Sequence, residues 1–307
     1  MPDEKFFSGL RKILANVFSR EIPESQQPLE DIINNQITQE KAKFKLSHED
    51  IQTFCIGIGD NNPIHRSGRW AKFILGDQLE KETIIAPGTQ LTALAEAYTI
   101  EAIKAIQNSW GVILDLGGFG IKFKEWVFPD EPVYWQVLGY RETRKGTNLE
   151  IGGLKQLSKD EKPKIIIEAK LVKDGNTPKI DQTGPIWTST YTITEEKLKF
   201  FYPSVGEPIS AVIPWSYPIS FVTSSLLEKS IGKDGIPTGI NREMNLAFYK
   251  RPEVGRIYVD FFLDEPPKEL KAGLGIKYTF NTLISQSHQP LISGQVTAIS
   301  KKKLDIE

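Results

Sequence analysis

The chain repeats itself, and no other feature of its 307 residues limits the choice of fold as strongly. In the first half, Leu46 to Phe54 reads as a short capped helix. Pro87 then opens a long apolar helix over Gln90 to Gln107, and strands that alternate apolar and polar residues follow over Gly120 to Phe128 and Val133 to Arg141, around a corner at Pro129. The second half offers Ile193 to Phe201, then Pro214 ahead of Ser216 to Ser230, then Met244 to Asp260 around Pro252, in the same order. The offsets between matching points are 147, 127 and 123 residues, so the second copy lacks about 20 residues between its short helix and its long one. Two further strands are expected in the first copy, over Thr147 to Leu157 and Pro163 to Lys173. A long apolar helix and a set of alternating strands each need a partner for the apolar face. A helix wrapped by a curved antiparallel sheet supplies both. The expectation is an α+β chain with an N-terminal helical extension over 1–40, a first unit over 41–174, a polar linker over 175–186 and a second, degenerate unit over 187–307.

Composition removes several function classes. Counting 38 Lys and Arg against 39 Asp and Glu leaves a net charge of -1, without the basic surplus that neutralises phosphates, so nucleic acid is not the expected partner. The single cysteine, Cys55, permits no intramolecular disulfide and no cysteine-based zinc site, which suits a reducing, cytoplasmic setting. Three histidines, His48, His65 and His288, leave little material for a metal centre, and no cofactor is expected. Charged residues or prolines cut every apolar run short of the 18 or so residues that cross a bilayer, so no integral membrane span is expected. Near the N-terminus, Phe6, Phe7, Leu10, Ile13, Leu14, Val17 and Phe18 share a helical face interrupted by charges. It reads as a helix packed on its own domain or on a second subunit, with a surface-bound amphipathic helix as the other reading.

The sharpest chemical constellation is Asp60-Asn61-Asn62-Pro63-Ile64-His65, an acid and an imidazole five positions apart across a kinked segment. An Asn-Pro pair marks a loop, and an isolated acid and histidine there would usually only cap a turn. A general acid–base pair requires that both groups reach one water or one substrate proton, which a short kinked segment permits. The wider pattern, Phe54-Cys55-Ile56-Gly57-Ile58-Gly59 leading into that motif, then Ala71, then Ile84-Ile85-Ala86-Pro87-Gly88 opening a helix, resembles the signature of the MaoC-like hydratases and dehydratases of the hot-dog fold superfamily. The resemblance covers Leu46 to about Val137 and extends more weakly through the second copy. It implies two hot-dog units in one chain. It also implies a lyase that interconverts a trans-2-enoyl thioester and a (3R)-3-hydroxyacyl thioester, with CoA or acyl carrier protein as the thioester's carrier. By the same resemblance Asp60 and His65 are the catalytic pair that holds the water, Asn62 is the family's asparagine between them, and the Gly88 N–H binds the thioester carbonyl. Unpaired N–H groups at a helix start favour an oxygen that gains negative charge, so the last role is physically sensible.

Two features depart from the pattern. The stretch from His65 to Gly88 is longer than usual and carries Trp70, Phe73, Ile74 and Leu75, and the motif sits in the first half, whereas eukaryotic double hot-dog hydratases carry it in the second. The second copy has Glu207 where Asp60 falls and no nearby histidine, which implies one active site per chain, with an open groove for a long or bulky acyl chain where the 20 residues are missing. A hot-dog acyl thioesterase and a catalytically silent acyl-binding module are the competing readings, and a homodimer of such chains is left open. Gly57-x-Gly59 and Gly117-Gly118-x-Gly120 do not complete a nucleotide loop, Cys55 reads as packing, and Trp126, Trp135 and Arg141 read as strand faces.

Overall fold

The computed structural model describes residues 29–76, 79–110, 113–143, 146–157, 161–172, 184–231, 239–270, 275–301 and 303–304. The apolar N-terminal pattern over Phe6 to Phe18 and most of the expected linker lie outside the described residues. Helices α1 (Leu29–Gln36) and α2 (Gln39–Ala42) lead into strand β1 (Lys43–Lys45). Helix α3 (His48–Ile58), a 3₁₀ turn (Pro63–His65), helix α4 (Gly68–Leu75) and the long helix α5 (Gly88–Trp110) follow. Strands β2 (Asp115–Phe123), β3 (Pro132–Thr143), β4 (Gly146–Leu154) and β5 (Ile165–Val172) complete the first half. The second half runs β6 (Trp187–Ile193), α6 (Glu195–Ser204), α7 (Ser216–Ser230), β7 (Gly239–Phe248), β8 (Gly255–Glu269), β9 (Ile276–Gln286) and β10 (Gln289–Ser300).

All ten strands join one antiparallel sheet in the order β1-β3-β4-β5-β2-β7-β10-β9-β8-β6. From either edge the order repeats: an N-terminal strand at the rim, then the third, fourth, fifth and second strands of that half moving inward. The halves meet where β2 and β7 pair, with Gly118 opposite Ala247 and Lys122 opposite Glu243. Gly118 is there because the strands approach closely; a Cβ at that position would stand 2.2 Å from the Leu246 carbonyl oxygen.

The apolar residues alternate along the strands as one covered face requires. In β5, Ile165, Ile167, Ala169 and Leu171 are buried while their neighbours are half-buried. Their partners in the core are α5 and α7, with Leu91, Ala95, Tyr98, Ala102, Ile219 and Phe221 inward. Each fully buried Leu, Ile or Phe contributes about 1.5–3 kcal/mol of apolar transfer. The expected strand over Gly120 to Phe128 starts five residues earlier and ends at Phe123. Beyond it the chain leaves the sheet because the Lys164 carbonyl captures the N–H groups of Lys124 and Glu125, at 2.8 and 3.0 Å. The repeat also shows in the connections: residues 59–87 lie between α3 and α5, but only residues 205–215 lie between α6 and α7. No helix among the described residues is long and apolar enough to cross a membrane.

Candidate active site

From the extra residues of the first half, Asp60, Asn62, Ile64, His65 and Ala86 form one side of a cavity of about 420 Å³ at the start of α5. Helix α3 delivers the acid. Ser47 and Asp50 form a capping box at its N-terminus, and Gly59, at φ 72°, ends it in the left-handed conformation that suits glycine. The Asp60 N–H closes that end on the Cys55 carbonyl at 2.8 Å, so the carboxylate follows directly on a rigid helix terminus. Asp60 Oδ1 then accepts the Asn62 N–H at 2.7 Å, and Asn62 Oδ1 accepts the Ile64 N–H at 3.3 Å, which starts the 3₁₀ turn that carries His65.

His65 and Asp60 are both buried, at 7 % and 6 % exposure. His65 Nδ1 lies 2.8 Å from the Ile85 carbonyl oxygen; a carbonyl only accepts, so Nδ1 carries the hydrogen and Nε2 presents its lone pair. Nε2 stands 3.9 Å from Asp60 Oδ2, the carboxylate oxygen not engaged by Asn62. That gap is too long for a direct hydrogen bond and has room for one bridging water. Burial lowers the His65 pKa, against the weaker opposing pull of the Asp60 charge and the Ile85 carbonyl, so the imidazole is neutral at neutral pH.

This has a measurable consequence. The unfolded chain takes up a proton at His65 near the ordinary value of about 6.5, while the folded chain does so only at lower pH, so stability is lost as pH falls through that interval. The thermal midpoint is expected to drop between about pH 7 and pH 5, with a shallower slope in His65→Gln. Equal slopes in the two proteins would place the pH dependence elsewhere.

Gly88 is the first residue of α5 and lines the same cavity. Gln90 and Leu91 donate to the Pro87 carbonyl, which leaves the Gly88 and Thr89 N–H groups without a partner among the described residues. A Cβ on Gly88 would sit 2.6 Å from the Phe123 ring, so glycine admits the ring against the helix start. Asp60, His65, Asn62 and Gly88 therefore all line one cavity, although the Asn62 side chain is engaged in capping the turn.

The cavity also has walls that the sequence reading did not single out. Trp126, expected on a strand face, lies in the loop after β2 and lines the cavity with Val127, Phe128 and a buried lysine, Lys164. From the second half come Thr223, Ser224, Leu226, Leu227 and Ser230 of α7, with Ala298 and Leu304. Their helical spacing marks an inward face, but nothing in it separates cavity lining from core. Cys55 is fully buried and its thiol is pushed up by burial, as befits packing.

At the matching place in the second half, the N-terminus of α7 is filled from within. Glu96 of α5 accepts the Trp215 N–H at 2.9 Å and the Ser216 N–H at 2.8 Å. Glu207, aligned with Asp60, lies on the surface.

No family model matches the sequence, and no curated protein matches it either. Solved structures do. A MaoC-like dehydratase overlays with a TM-score of 0.58 at 6% identity, covering 87% of this chain and 99% of its own. A MaoC domain protein dehydratase of Chloroflexus aurantiacus overlays at 0.58 with 11% identity, covering 85% and 93%. An oleoyl thioesterase of Lactobacillus plantarum overlays less closely, at 0.47 with 10% identity, covering 85% and 95%. The chain has the hot-dog fold of the MaoC-like dehydratases.

Proposed function

We propose that this chain is a hydro-lyase that hydrates a trans-2-enoyl thioester to the (3R)-3-hydroxyacyl thioester and runs the reverse reaction. The observation that carries the reading is the pair formed by Asp60 Oδ2 and the unprotonated Nε2 of His65, 3.9 Å apart in the cavity that Gly88 also lines. A water held between them gives a proton to His65 Nε2 as its oxygen bonds to C3 of the enoyl chain. Negative charge moves onto the thioester oxygen, where the Gly88 N–H and the positive end of α5 stabilise it. The imidazolium returns the proton to C2, and the Asp60 carboxylate steadies the water before the transfer and the imidazolium during it. Water has then added across the double bond with nothing left over.

The reading takes the chain as two hot-dog units, 41–174 and 187–307, of which the first supplies the chemistry and the second lends a wall. Leu226, Leu227, Ala298 and Leu304 add an apolar wall from the second half to the same cavity, which suits a long or bulky acyl chain. Over Thr223 to Ser230 the α7 wall runs about 10 Å at 1.5 Å per residue. The thioester's carrier is CoA or acyl carrier protein.

The test is the absorbance of the enoyl thioester chromophore with crotonyl-CoA and with a longer trans-2-enoyl-CoA. Loss of absorbance without release of free thiol is the expected result, with the longer chain preferred. Thiol release would make the chain a thioesterase, and turnover of the short chain alone would remove the extended acyl groove.

A further inference from the structure

Lysine is almost never buried without a partner, and Lys164 is buried in the cavity wall. Its Nζ meets Glu131 Oε1 at 2.7 Å, with side-chain exposures of 8% and 12%. Such a pair does little for stability: desolvating two charges cancels most of their attraction, and apolar residues of similar volume generally serve as well or better. What the pair holds is more informative. Lys164 Nζ donates to the Trp126 carbonyl at 3.0 Å, and Glu131 Oε2 accepts the Phe128 N–H at 3.2 Å. The two charges thus grip the loop 126–128 at both ends, where neither helix nor strand fixes it.

Between the grips, the Val127 carbonyl accepts the Ala86 N–H at 2.8 Å. The neighbouring Ile85 carbonyl is the acceptor for His65 Nδ1, and the Ile85 N–H returns to the Ile64 carbonyl at 3.2 Å. The segment 84–87 is also outside helix and strand, so its position depends on what it leans against.

We propose that Lys164 and Glu131 are a positioning pair: through the loop 126–128 and Ala86 they hold the Ile85 carbonyl where it fixes the tautomer and orientation of His65. The proposal builds on the hydro-lyase reading for its kinetic consequence, but the geometry of His65 can be measured without any substrate.

The experiment replaces both charges, Lys164→Met with Glu131→Leu, which leaves no buried charge unpaired. The thermal midpoint is expected to stay within a few degrees of the parent, whereas Lys164→Met alone lowers it. With three histidines in the chain, the imidazole nitrogen NMR spectrum resolves His65 by comparison with His65→Gln. The parent shows a single Nδ1–H tautomer and the paired variant a mixture. On an enoyl thioester, kcat falls at least about 10-fold with KM within about 3-fold, the pattern of a displaced catalytic group. A His65 that keeps its single tautomer in the paired variant overturns the proposal, whatever the activity does. If the paired variant does not fold, the near-isosteric Glu131→Gln decides by the same spectrum. Inactivity of the parent on every enoyl thioester would sink the hydro-lyase reading and leave the NMR result standing.

Discussion

Replacing His65 by alanine is expected to lower kcat for enoyl thioester hydration by about 10³-fold, within the 10²–10⁴-fold range of positioned acid–base groups. In the proposed mechanism Nε2 is the base, because burial keeps the proton off it and the Ile85 carbonyl holds the hydrogen on Nδ1. Its removal leaves Asp60 to orient the water and Gly88 to meet the thioester oxygen, so binding is largely kept and KM changes little. Asp60→Asn is milder, about 10²-fold, since an amide oxygen still accepts the Asn62 N–H and preserves the turn while the charge facing the imidazole is lost. If both groups act on one water, as proposed, the double variant is no worse than His65→Ala by more than a few-fold. Steady-state kinetics on the three proteins, with thermal midpoints to show that each is folded, decides the matter. If the two losses multiply, Asp60 and His65 act in separate steps and the shared-water mechanism is wrong.

How far the sequence reaches is clear from particular residues. The long helices and the order of elements follow from periodicity and proline placement: Ser216–Ser230 is found as read, and Gln90 to Gln107 lies inside Gly88–Trp110. Periodicity places strand ends less well when a main-chain acceptor outside the ladder takes the next N–H groups. The strand expected over Gly120 to Phe128 stops at Phe123, where the Lys164 carbonyl takes the next two N–H groups, and Trp126 lines the cavity instead. Asp60 and His65 were legible because their five-residue spacing is local, fixed by one helix end and one 3₁₀ turn. Lys164 and Glu131 were not: they are 33 positions apart and meet only after β3, β4 and β5 have paired. Glu96 did leave a trace, as the single charge in the otherwise uncharged opening of α5, though nothing local names its partner.

Glu96→Ala is expected to cost about 3–5 kcal/mol of folding stability, the largest effect outside the candidate site. The N-cap of helix α7 is Trp215, whose own backbone is helical and whose side chain makes no capping bond. Its first N–H groups are sealed from water, with Ser216 fully buried and Trp215 at 5% exposure, and Glu96 is their acceptor, reaching across from α5. Alanine leaves both donors buried and unpaired, at about 1–3 kcal/mol each. Arg251 lies 3.3 Å from Glu96 and stacks 4.6 Å from the Trp215 ring, and because the two N–H groups at the start of α7 still compensate the Glu96 carboxylate, Arg251→Met should cost only about 1–2 kcal/mol. Glu96→Gln falls between, because an amide keeps one acceptor but turns its NH₂ toward the second donor. Urea unfolding midpoints rank the three. The ranking also bears on why the chain is read with one centre. The start of α5 leaves the Gly88 N–H unpaired in the cavity, whereas the start of α7 has a carboxylate already in the place a thioester oxygen would take. If Glu96→Ala is as stable as the parent, that end of α7 is reached by water, and the proposal of one centre per chain rests on the missing histidine alone.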